Sequence, residues 1–258
     1  IMPIRVTDTS GTGYSSMIAS GLTYAADRGV RIANISFANQ PIRAAVVSAA
    51  QYMKDKGGLV FVAAGNNGID EGFTPTTSMI PVAATDGSDI KASWSSFGSY
   101  VALAAPGVSI YTTSRGGGYT TASGTSIATP VAAGVAALMF AARPTLTSAQ
   151  VESVLFKTAV DLGSPGRDSY YGYGRVDAAS AVAAALAFTS TTDTQAPSVS
   201  IASPIGSTTL SGLAPVNVSA TDNVGVTRVE LRVNGALVAT DTASPFGFSW
   251  DTTIVPSG

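Results

Sequence analysis

One serine stands at the start of the most apolar helix that the sequence predicts. Ser126 lies within Ser123-Gly124-Thr125-Ser126-Ile127-Ala128-Thr129-Pro130, and an apolar run from Val131 to Ala142 follows. The unpaired backbone N–H groups and the dipole at a helix N-terminus favour developing negative charge. Pro130 falls in the first turn, where a missing N–H costs little. Taken alone, the segment also fits a capped core helix.

An asparagine occupies a second position from which a side chain could stabilise developing negative charge. The segment Ala63-Ala64-Gly65-Asn66-Asn67-Gly68 follows the continuous apolar stretch that begins at Leu59. In open α/β sheets, ligands bind beyond the carboxyl ends of the strands. The side-chain amide of Asn66 could there donate a hydrogen bond to an oxyanion. Taken alone, Asn-Asn-Gly is also ordinary turn chemistry.

Composition excludes several other kinds of site. The 258 residues carry a net charge of −2 and no basic block, which argues against a nucleic-acid partner. Cysteine is absent, so disulfides, iron–sulfur clusters and thiolate zinc sites are excluded. Histidine is also absent, so these residues by themselves carry no mechanism that needs an imidazole. The longest apolar run is shorter than the ~20 residues of a membrane-spanning helix.

Alternating strands and helices must position the two candidate residues. Ile1–Val6 has the pattern of a buried strand, and a βαβαβ order continues to Leu59–Ala64, whose apolar run is typical of a central parallel strand. The pattern predicts an α/β fold for residues 1–188, with a doubly wound, mostly parallel sheet. Gly134 inside the apolar helix predicts close packing against another element. Thr147 and Gln150 form a capping box.

The amino-acid composition and the hydrophobic pattern change at residue 189. Residues 189–197 are rich in Ser and Thr and are predicted to be a linker. Residues 198–258 show strict alternation and a two-residue hairpin signal at Asn234-Gly235, which predict an all-β sandwich. This part resembles the immunoglobulin-like modules of bacterial surface and secreted proteins. About 60 residues is short for such a domain, so we expect its last strands to be missing.

Five motifs, in order along residues 1–188, resemble the subtilisin-like serine proteases, the subtilases. Gly-Thr-Ser-Ile-Ala-Thr-Pro is similar to the nucleophile motif of that family, and Ala-Ala-Gly-Asn is similar to its oxyanion motif. The other three are Ser95-Ser96-Phe97-Gly98, Ala104-Ala105-Pro106-Gly107 and Tyr171-Gly172-Tyr173-Gly174-Arg175-Val176-Asp177-Ala178. The resemblance implies a serine endopeptidase with the subtilisin-like fold.

The resemblance also implies a role for each matching position. Ser126 would be the nucleophile, and the Asn66 amide and the Ser126 backbone N–H would donate to the oxyanion. An extended peptide would lie between two chain segments by β-augmentation and place one side chain in a primary pocket. The implied substrate-binding residues are Ser10, Gly11, Thr12, Ser36, Phe37, Ala38, Ala63, Ala64 and Gly65.

The catalytic Asp and His of the family are missing from their places. Both precede these motifs in the family, and Asp8 and Asp27 do not stand in the family's context. We therefore expect a piece of a longer protein, with the Asp and His upstream and residues 1–258 inactive alone. Two alternatives are an inactive, peptide-binding pseudoprotease and a surface adhesion protein that uses the Ig-like module.

The resemblance further implies polypeptide substrates and no required cofactor or catalytic metal. Calcium as a structural ion is left open, although Asp161, Asp168, Asp222 and Asp241 lack the spacing of a calcium loop. The Ig-like module could bind a surface or a glycan. Low charge, the absence of cysteine and the Ser/Thr-rich linker favour a secreted or cell-surface bacterial protein.

Overall fold

The computed structural model describes residues 1–258 except 38, 41–42, 189–194, 207, 223–224, 243–244 and 255–258. The chain divides into two units, residues 1–188 and residues 189–258. Most of the predicted linker, residues 189–197, lies outside the described residues.

Four parallel strands form the sheet of the first unit. They are β1 (Ile32–Ile35), β2 (Leu59–Ala63), β3 (Ile80–Thr85) and β4 (Leu103–Pro106), and they lie side by side in that order. All five residues of β2 are buried, because helices cover the sheet on both faces. The predicted α/β class with a parallel sheet is confirmed.

Alternate residues of β2 contact different helices. Val60 and Val62 join the core that contains the apolar faces of α1 (Ser15–Asp27) and α2 (Ala44–Asp55). The period of two along a strand sends the next residues to the opposite face. Burial on both faces therefore explains the uninterrupted apolar sequence of this strand.

The other face of the sheet carries the helix that begins with the candidate serine. Leu59 and Phe61 belong to the core that contains α3 (Thr125–Ala142), α4 (Ser148–Lys157) and α5 (Ala178–Ala187). Helix α3 is the one helix among the described residues long and apolar enough to cross a membrane. Half of it is buried, and it packs against the sheet as a core helix.

The predicted capping box forms, and a hairpin precedes α3. The Thr147 hydroxyl accepts a hydrogen bond from the Gln150 backbone at 3.2 Å, and the Thr147 backbone N–H donates to the Gln150 side chain at 2.9 Å. This reciprocal box begins α4. Strands β5 (Ile110–Thr113) and β6 (Tyr119–Ala122) pair as an antiparallel hairpin that leads into α3.

Two predictions about the first unit are wrong. Residues Ile1–Val6 form no strand; instead Ile4 and Val6 lie half-buried with their methyl groups near Gly21 of α1. No described strand lies beside this segment to pair with it. Gly134 is exposed, and among the described residues no atom of another element lies within 4 Å of the place where its Cβ would be.

Antiparallel strands form the second unit. Strands β7 (Ser198–Ser203), β8 (Leu213–Thr221) and β11 (Gly247–Asp251) make one sheet in the order β11-β8-β7. Strands β9 (Val229–Val233) and β10 (Ala236–Asp241) make a second sheet. A single 3₁₀ turn follows β11. The predicted all-β, Ig-like class of this module is confirmed.

The turn between β9 and β10 follows from its sequence. Asn234 has a φ of 51° and Gly235 a φ of 83°. A type I′ turn needs positive φ at both central residues, and Asn-Gly supplies it with little strain. The alternating pattern is present too, because Ala214 and Val216 of β8 are buried while Leu213 and Asn217 are exposed.

Candidate active site

A chain of backbone contacts leads from the sheet to Ser126. The Gly107 N–H, just after β4, donates to the Thr85 carbonyl at 2.9 Å, and the Gly124 N–H donates to the Gly107 carbonyl at 2.9 Å. A Cβ on Gly107 would lie 2.8 Å from the Ala84 side chain and 2.9 Å from the Gly124 carbonyl oxygen. Gly107 therefore lets the start of α3 approach the carboxyl ends of the strands. Ser126 is the second residue of α3 and is half-buried.

The end of β2 places Asn66 against the start of the same helix. The Asn66 Oδ1 accepts hydrogen bonds from the Thr125 backbone N–H and from the Thr125 hydroxyl, both at 2.9 Å. Thr125 Oγ1 in turn accepts a hydrogen bond from the Gly65 N–H at 3.2 Å. Because two donors meet the oxygen of the amide, its NH₂ group must face the other way. Thr125 thus fixes the orientation of Asn66.

The hydroxyl of Ser126 and the amide of Asn66 surround one point. The position that a Cβ on Gly124 would take is 2.8 Å from Ser126 Oγ, 3.6 Å from Ser126 N and 3.8 Å from Asn66 Nδ2. The separation of Ser126 Oγ and Asn66 Nδ2 is therefore at most about 7 Å, a span that one tetrahedral intermediate can bridge. A side chain at residue 124 would fill this space, which explains the glycine.

Both candidate donors are free to bind an anion. Among the hydrogen bonds of the described residues, none involves Asn66 Nδ2. The Ser126 N–H lies in the first turn of α3, where a helix leaves its N–H groups without a carbonyl partner. The positive end of the helix dipole adds to the attraction. This arrangement can hold a negatively charged oxygen between two neutral donors.

Among the described residues, no base is hydrogen-bonded to the hydroxyl of the nucleophile candidate. Within the described part of the chain, no carboxylate or lysine is hydrogen-bonded to Ser126 Oγ. The sequence contains no histidine. The site therefore combines a hydroxyl and two oxyanion donors without a group that would take the proton of the hydroxyl.

The predicted substrate segment after β1 lies beside the serine. Ser36 Oγ donates to the carbonyl oxygen of Ser126 at 2.8 Å, so the end of β1 is joined to the start of α3. The ring of Phe37 covers Gly13, where a Cβ would come within 2.7 Å of the ring. Ala38 lies outside the described residues.

The opposite predicted segment is an exposed turn organised by a carboxylate. Asp8 accepts hydrogen bonds from the Ser10 hydroxyl at 2.6 Å and from the backbone N–H groups of Ser10 and Thr12 at 2.9 Å. These bonds, the Ser10 hydroxyl first, hold the pKa of Asp8 below its usual value. Ser10, Gly11 and Thr12 are all exposed. Sequence reasoning set Asp8 aside, although a carboxylate two residues before a serine is a common turn signal.

The predicted pocket residues are more buried than the prediction implies. Ala63 and Ala64 are 2% and 1% exposed, and Gly65 is also buried. The Ala64 carbonyl accepts from the Tyr100 hydroxyl at 2.8 Å, and the Gly65 carbonyl accepts from the Ser96 N–H at 2.9 Å. The carbonyl groups of Ala64 and Gly65 are already hydrogen-bonded, so a substrate would pack against the backbone of these residues and would not bind to free carbonyl groups. Their role in substrate binding stays a prediction.

Two features of the site escaped the sequence analysis. The first is Thr125, whose hydrogen bonds to Asn66 depend on a contact across 59 residues. The second is Glu71, whose Oε1 lies 3.1 Å from the place of a Cβ on Gly65. No local pattern marks either, since each follows from how the loop after β2 folds back on the sheet.

The described residues form no acidic cluster suited to a metal ion. Among the described residues, no group of three or more acidic side chains comes together to hold a metal ion. Asp161 and Asp168 each accept hydrogen bonds from backbone N–H groups of their own loop. Such contacts are typical of carboxylates that stabilise turns, so we assign no calcium site.

Comparison with known families gives two matches that together cover most of the chain. The model described as Subtilase family matches residues 1–174, and the model described as Bacterial Ig domain matches residues 197–258. Thermitase of Thermoactinomyces vulgaris is 38% identical over 184 residues, which are 70% of this chain and 64% of thermitase. Subtilisin Savinase of Lederbergia lenta is 36% identical over 180 residues, 69% of this chain and 66% of that protein. The chain thus spans about two thirds of these relatives.

Solved structures show the same fold. A lanthipeptide protease aligns with a TM-score of 0.63 and 27% identity, covering 70% of this chain and 69% of that structure. A protease from Pseudoalteromonas arctica PAMC 21717 aligns with a TM-score of 0.61 and 29% identity, covering 70% and 61%. Both alignments include most of the parallel-sheet unit, so the subtilisin-like fold expected from the motifs is confirmed.

Proposed function

The chain belongs to the subtilase family, and from that premise we propose that it carries the nucleophile and oxyanion hole of a serine endopeptidase. The observation that carries the proposal is the convergence of Ser126 Oγ, Ser126 N and Asn66 Nδ2 on one point. A capped core helix would not need two unpaired donors aimed at the space beside its first serine.

The chemistry follows from these three groups. Ser126 Oγ gives its proton to a base and attacks the carbonyl carbon of a peptide bond, whose oxygen becomes an oxyanion; the base later returns that proton to the leaving amine. Asn66 Nδ2 and Ser126 N donate hydrogen bonds to that oxyanion, which lowers the barrier to attack. The intermediate then expels the amine, which takes a proton, and leaves an acyl-enzyme on Ser126. Water attacks the acyl-enzyme through a second oxyanion at the same donors and releases the acid.

The base that this cycle needs would come from outside the 258 residues. A serine hydroxyl requires an adjacent base, and an imidazole oriented by a carboxylate serves that role in this type of mechanism. We propose that an Asp and a His in further sequence of the same protein complete the triad. Residues 1–258 without them would keep only a small residue of the activity.

An exposed apolar face on α3 supports the idea that another segment packs beside Ser126. Pro130, Gly134, Ala137 and Leu138 are all exposed, and Leu138 is 54% exposed. At helical spacing they continue the face that begins at Ser126. A segment that covered this face would bring its own side chains next to the hydroxyl, which is where a base has to stand.

The substrate would be an extended polypeptide. We propose that it lies between the turn at Ser10–Thr12 and the segment Ser36–Ala38, with Ala63, Ala64 and Gly65 beside its primary side chain. The contact of Phe37 with Gly13 supports this proposal, because it brings the two segments to the same region. The distance of 2.8 Å between Ser36 Oγ and the Ser126 carbonyl puts that region next to the nucleophile.

The remaining assignments belong to the same proposal. Residues 1–188 would be the catalytic domain, 189–197 the linker and 198–258 an Ig-like module that binds a surface or a glycan. The bacterial relatives and the match to a bacterial Ig domain support export from a bacterial cell. Calcium, if bound, would act as a structural ion only.

Covalent labelling tests the proposed function. A fluorophosphonate reagent is added to residues 1–258, to the same chain extended by the coding sequence that precedes residue 1, and to the Ser126→Ala variant of the extended chain. Of the three proteins, we expect only the extended chain with Ser126 intact to be labelled rapidly and stoichiometrically. Peptide mass spectrometry should locate the label on Ser126. Rapid labelling of residues 1–258 would mean that another base serves Ser126. An extended chain that binds peptides but is neither labelled nor active would favour the pseudoprotease.

A further inference from the structure

A single carboxylate stands at the wall of the proposed substrate cleft. Glu71 Oε1 lies 3.1 Å from the position of a Cβ on Gly65, the residue before Asn66. It accepts hydrogen bonds from the Ser96 hydroxyl at 2.7 Å and from the Asn67 side-chain amide at 2.9 Å. Glu71 is half-buried, so one side of it faces the protein and the other is open.

The charge of Glu71 is not neutralised by the residues around it. Its two hydrogen-bond donors are uncharged, and none of the ion pairs among the described residues includes it. Both bonds end on Oε1, and among the described residues no hydrogen bond reaches Oε2. A partly desolvated carboxylate in this state gains most from a cationic partner.

The negative field extends to the backbone that would flank the substrate. Tyr100 donates its hydroxyl proton to the Ala64 carbonyl at 2.8 Å. Burial raises the pKa of Tyr100, and the charges of Glu71 and of its neighbour Asp70 raise it further. The two carboxylates therefore lie close enough to Tyr100 to act on its hydroxyl. No described basic residue pairs with either of them.

We propose that Glu71 selects peptides with Lys or Arg at the residue whose carbonyl is attacked; this inference rests on the proposed function. Glu71 Oε1 lies 3.1 Å from the place of a Cβ on Gly65 and consecutive Cα atoms are 3.8 Å apart, so the Glu71 carboxylate is at most about 12 Å from the Asn66 amide. The long side chain of Lys or Arg spans that distance from a carbonyl held at Asn66. Its cationic end then meets Glu71 Oε2 in a charge-assisted hydrogen bond.

The glycine between the two groups is part of the same arrangement. A Cβ on Gly65 would lie 2.9 Å from Ser96 Oγ as well as beside Glu71. The φ of Gly65 is +121°, which L side chains rarely adopt. A bare backbone at this position lets Ser96 Oγ and the Glu71 carboxylate lie close to the residue before Asn66.

Peptide binding to the 258-residue chain tests the inference without requiring catalysis. The probes are acetyl-Ala-Ala-Pro-Arg and acetyl-Ala-Ala-Pro-Leu, measured by isothermal titration calorimetry in buffer of low ionic strength. We expect the arginine peptide to bind about tenfold or more tightly than the leucine peptide. The preference should shrink as salt is added, because one partner is open to solvent.

Two variants decide which group is responsible. Glu71→Gln keeps an oxygen for the bonds from Ser96 and Asn67 but removes the charge, and it should abolish the preference. Asp55→Asn removes one negative charge at an exposed position of α2 and should keep it. Equal affinity of the two peptides, no binding of the arginine peptide, or a preference that survives Glu71→Gln would each overturn the inference.

Cleavage by the extended chain separates this inference from the proposed function. We expect the ratio of kcat/KM for the arginine substrate to kcat/KM for the leucine substrate to fall about tenfold or more in Glu71→Gln. Cleavage that ignores Glu71 would overturn the inference and leave the endopeptidase standing. No cleavage and no labelling of Ser126, with a Glu71-dependent preference in binding, would overturn the endopeptidase and leave the recognition of basic peptides.

Discussion

Replacing Thr125 by Val should loosen the proposed oxyanion hole without changing any group that we propose to contact the substrate. Valine has nearly the shape of threonine, but it lacks the hydroxyl that binds Asn66 Oδ1 and accepts from the Gly65 N–H. Thr125 is 0% exposed, so water does not replace the lost partner of Gly65. An unpaired buried N–H costs about 1–3 kcal/mol, and the lost bond to Asn66 adds about 1 kcal/mol.

The loss of stability should therefore be roughly 2–4 kcal/mol. For a unit of this size, each kcal/mol corresponds to about 2–4 °C in Tm, so we expect a decrease of roughly 4–16 °C. In the extended chain, kcat should fall while KM changes little. The reason is that only the backbone N–H of residue 125 still holds the Asn66 amide in the variant. The amide then samples orientations in which its NH₂ group does not donate to the oxyanion.

Fluorescence can report on the first unit alone. The chain has two tryptophans, Trp94 in the first unit and Trp250 in the second. In a Trp250→Phe background, the emission of Trp94, which packs against the core of α3, follows thermal unfolding of the parallel-sheet unit. The matched control is Thr125→Ser, which keeps the hydroxyl and should cost only about 1 kcal/mol for the lost methyl group.

Two results would refute the reasoning. One is a Thr125→Val variant as stable as the parent, which would mean that the hydroxyl does not hold the loop after β2. The other is a Thr125→Ser variant as unstable as Thr125→Val, which would trace the effect to the methyl group and not to the hydrogen bonds.

Three further predictions follow from single contacts. Asn66→Ala in the extended chain should lower kcat about 10²–10³-fold with little change in KM, the loss known for the corresponding donor of a subtilisin, and steady-state kinetics on a peptide substrate measures it. Gly172→Ala should destabilise the chain by more than about 3 kcal/mol, because its Cβ would lie 2.2 Å from the Ala102 carbonyl. Gly29→Ala has a similar φ, +70° against +64°, but open space, so urea unfolding should show only about 1–2 kcal/mol for it, and equal losses would refute the steric argument. Asp177 caps α5, and its hydrogen bond from the Ser180 N–H holds its pKa below the usual 3.8. A lowered pKa in the folded state means stability that is present above pH 4 and lost as the pH falls below it. The Tm advantage of the parent over Asp177→Ala should therefore shrink between pH 5 and pH 2, and an advantage that grows would contradict it.

Short-range patterns gave correct elements wherever the energy that fixes them is local. The capping box at Thr147 and Gln150 and the turn at Asn234-Gly235 each involve neighbours in sequence, and both form as predicted. The apolar run of β2 was informative for a different reason, because a strand buried on both faces leaves no room for polar residues.

Contacts between distant parts of the chain could not be found in the same way. The roles of Thr125 and Glu71 arise from the fold of the loop after β2, which no periodicity encodes. The prediction that Gly134 packs against another element is wrong for a different reason. Its sequence signal describes a contact surface, but the described residues leave that surface exposed. The ordered motifs identified Ser126 and Asn66 as candidate residues. The parallel sheet explains why these residues, 60 positions apart in the sequence, lie side by side.

The proposed oxyanion hole is made from groups that do not ionise between acid and alkaline conditions. Asn66 and Ser126 contribute amide N–H donors, and a threonine hydroxyl orients the first of them. The hole therefore keeps the same donors over the whole range in which the chain stays folded. For an uncharged substrate, the pH dependence of kcat/KM in the completed enzyme would then report the pKa of one group, the base that we propose reaches Ser126 from elsewhere in the protein. The pH profile becomes a way to identify that base before its position in the structure is known.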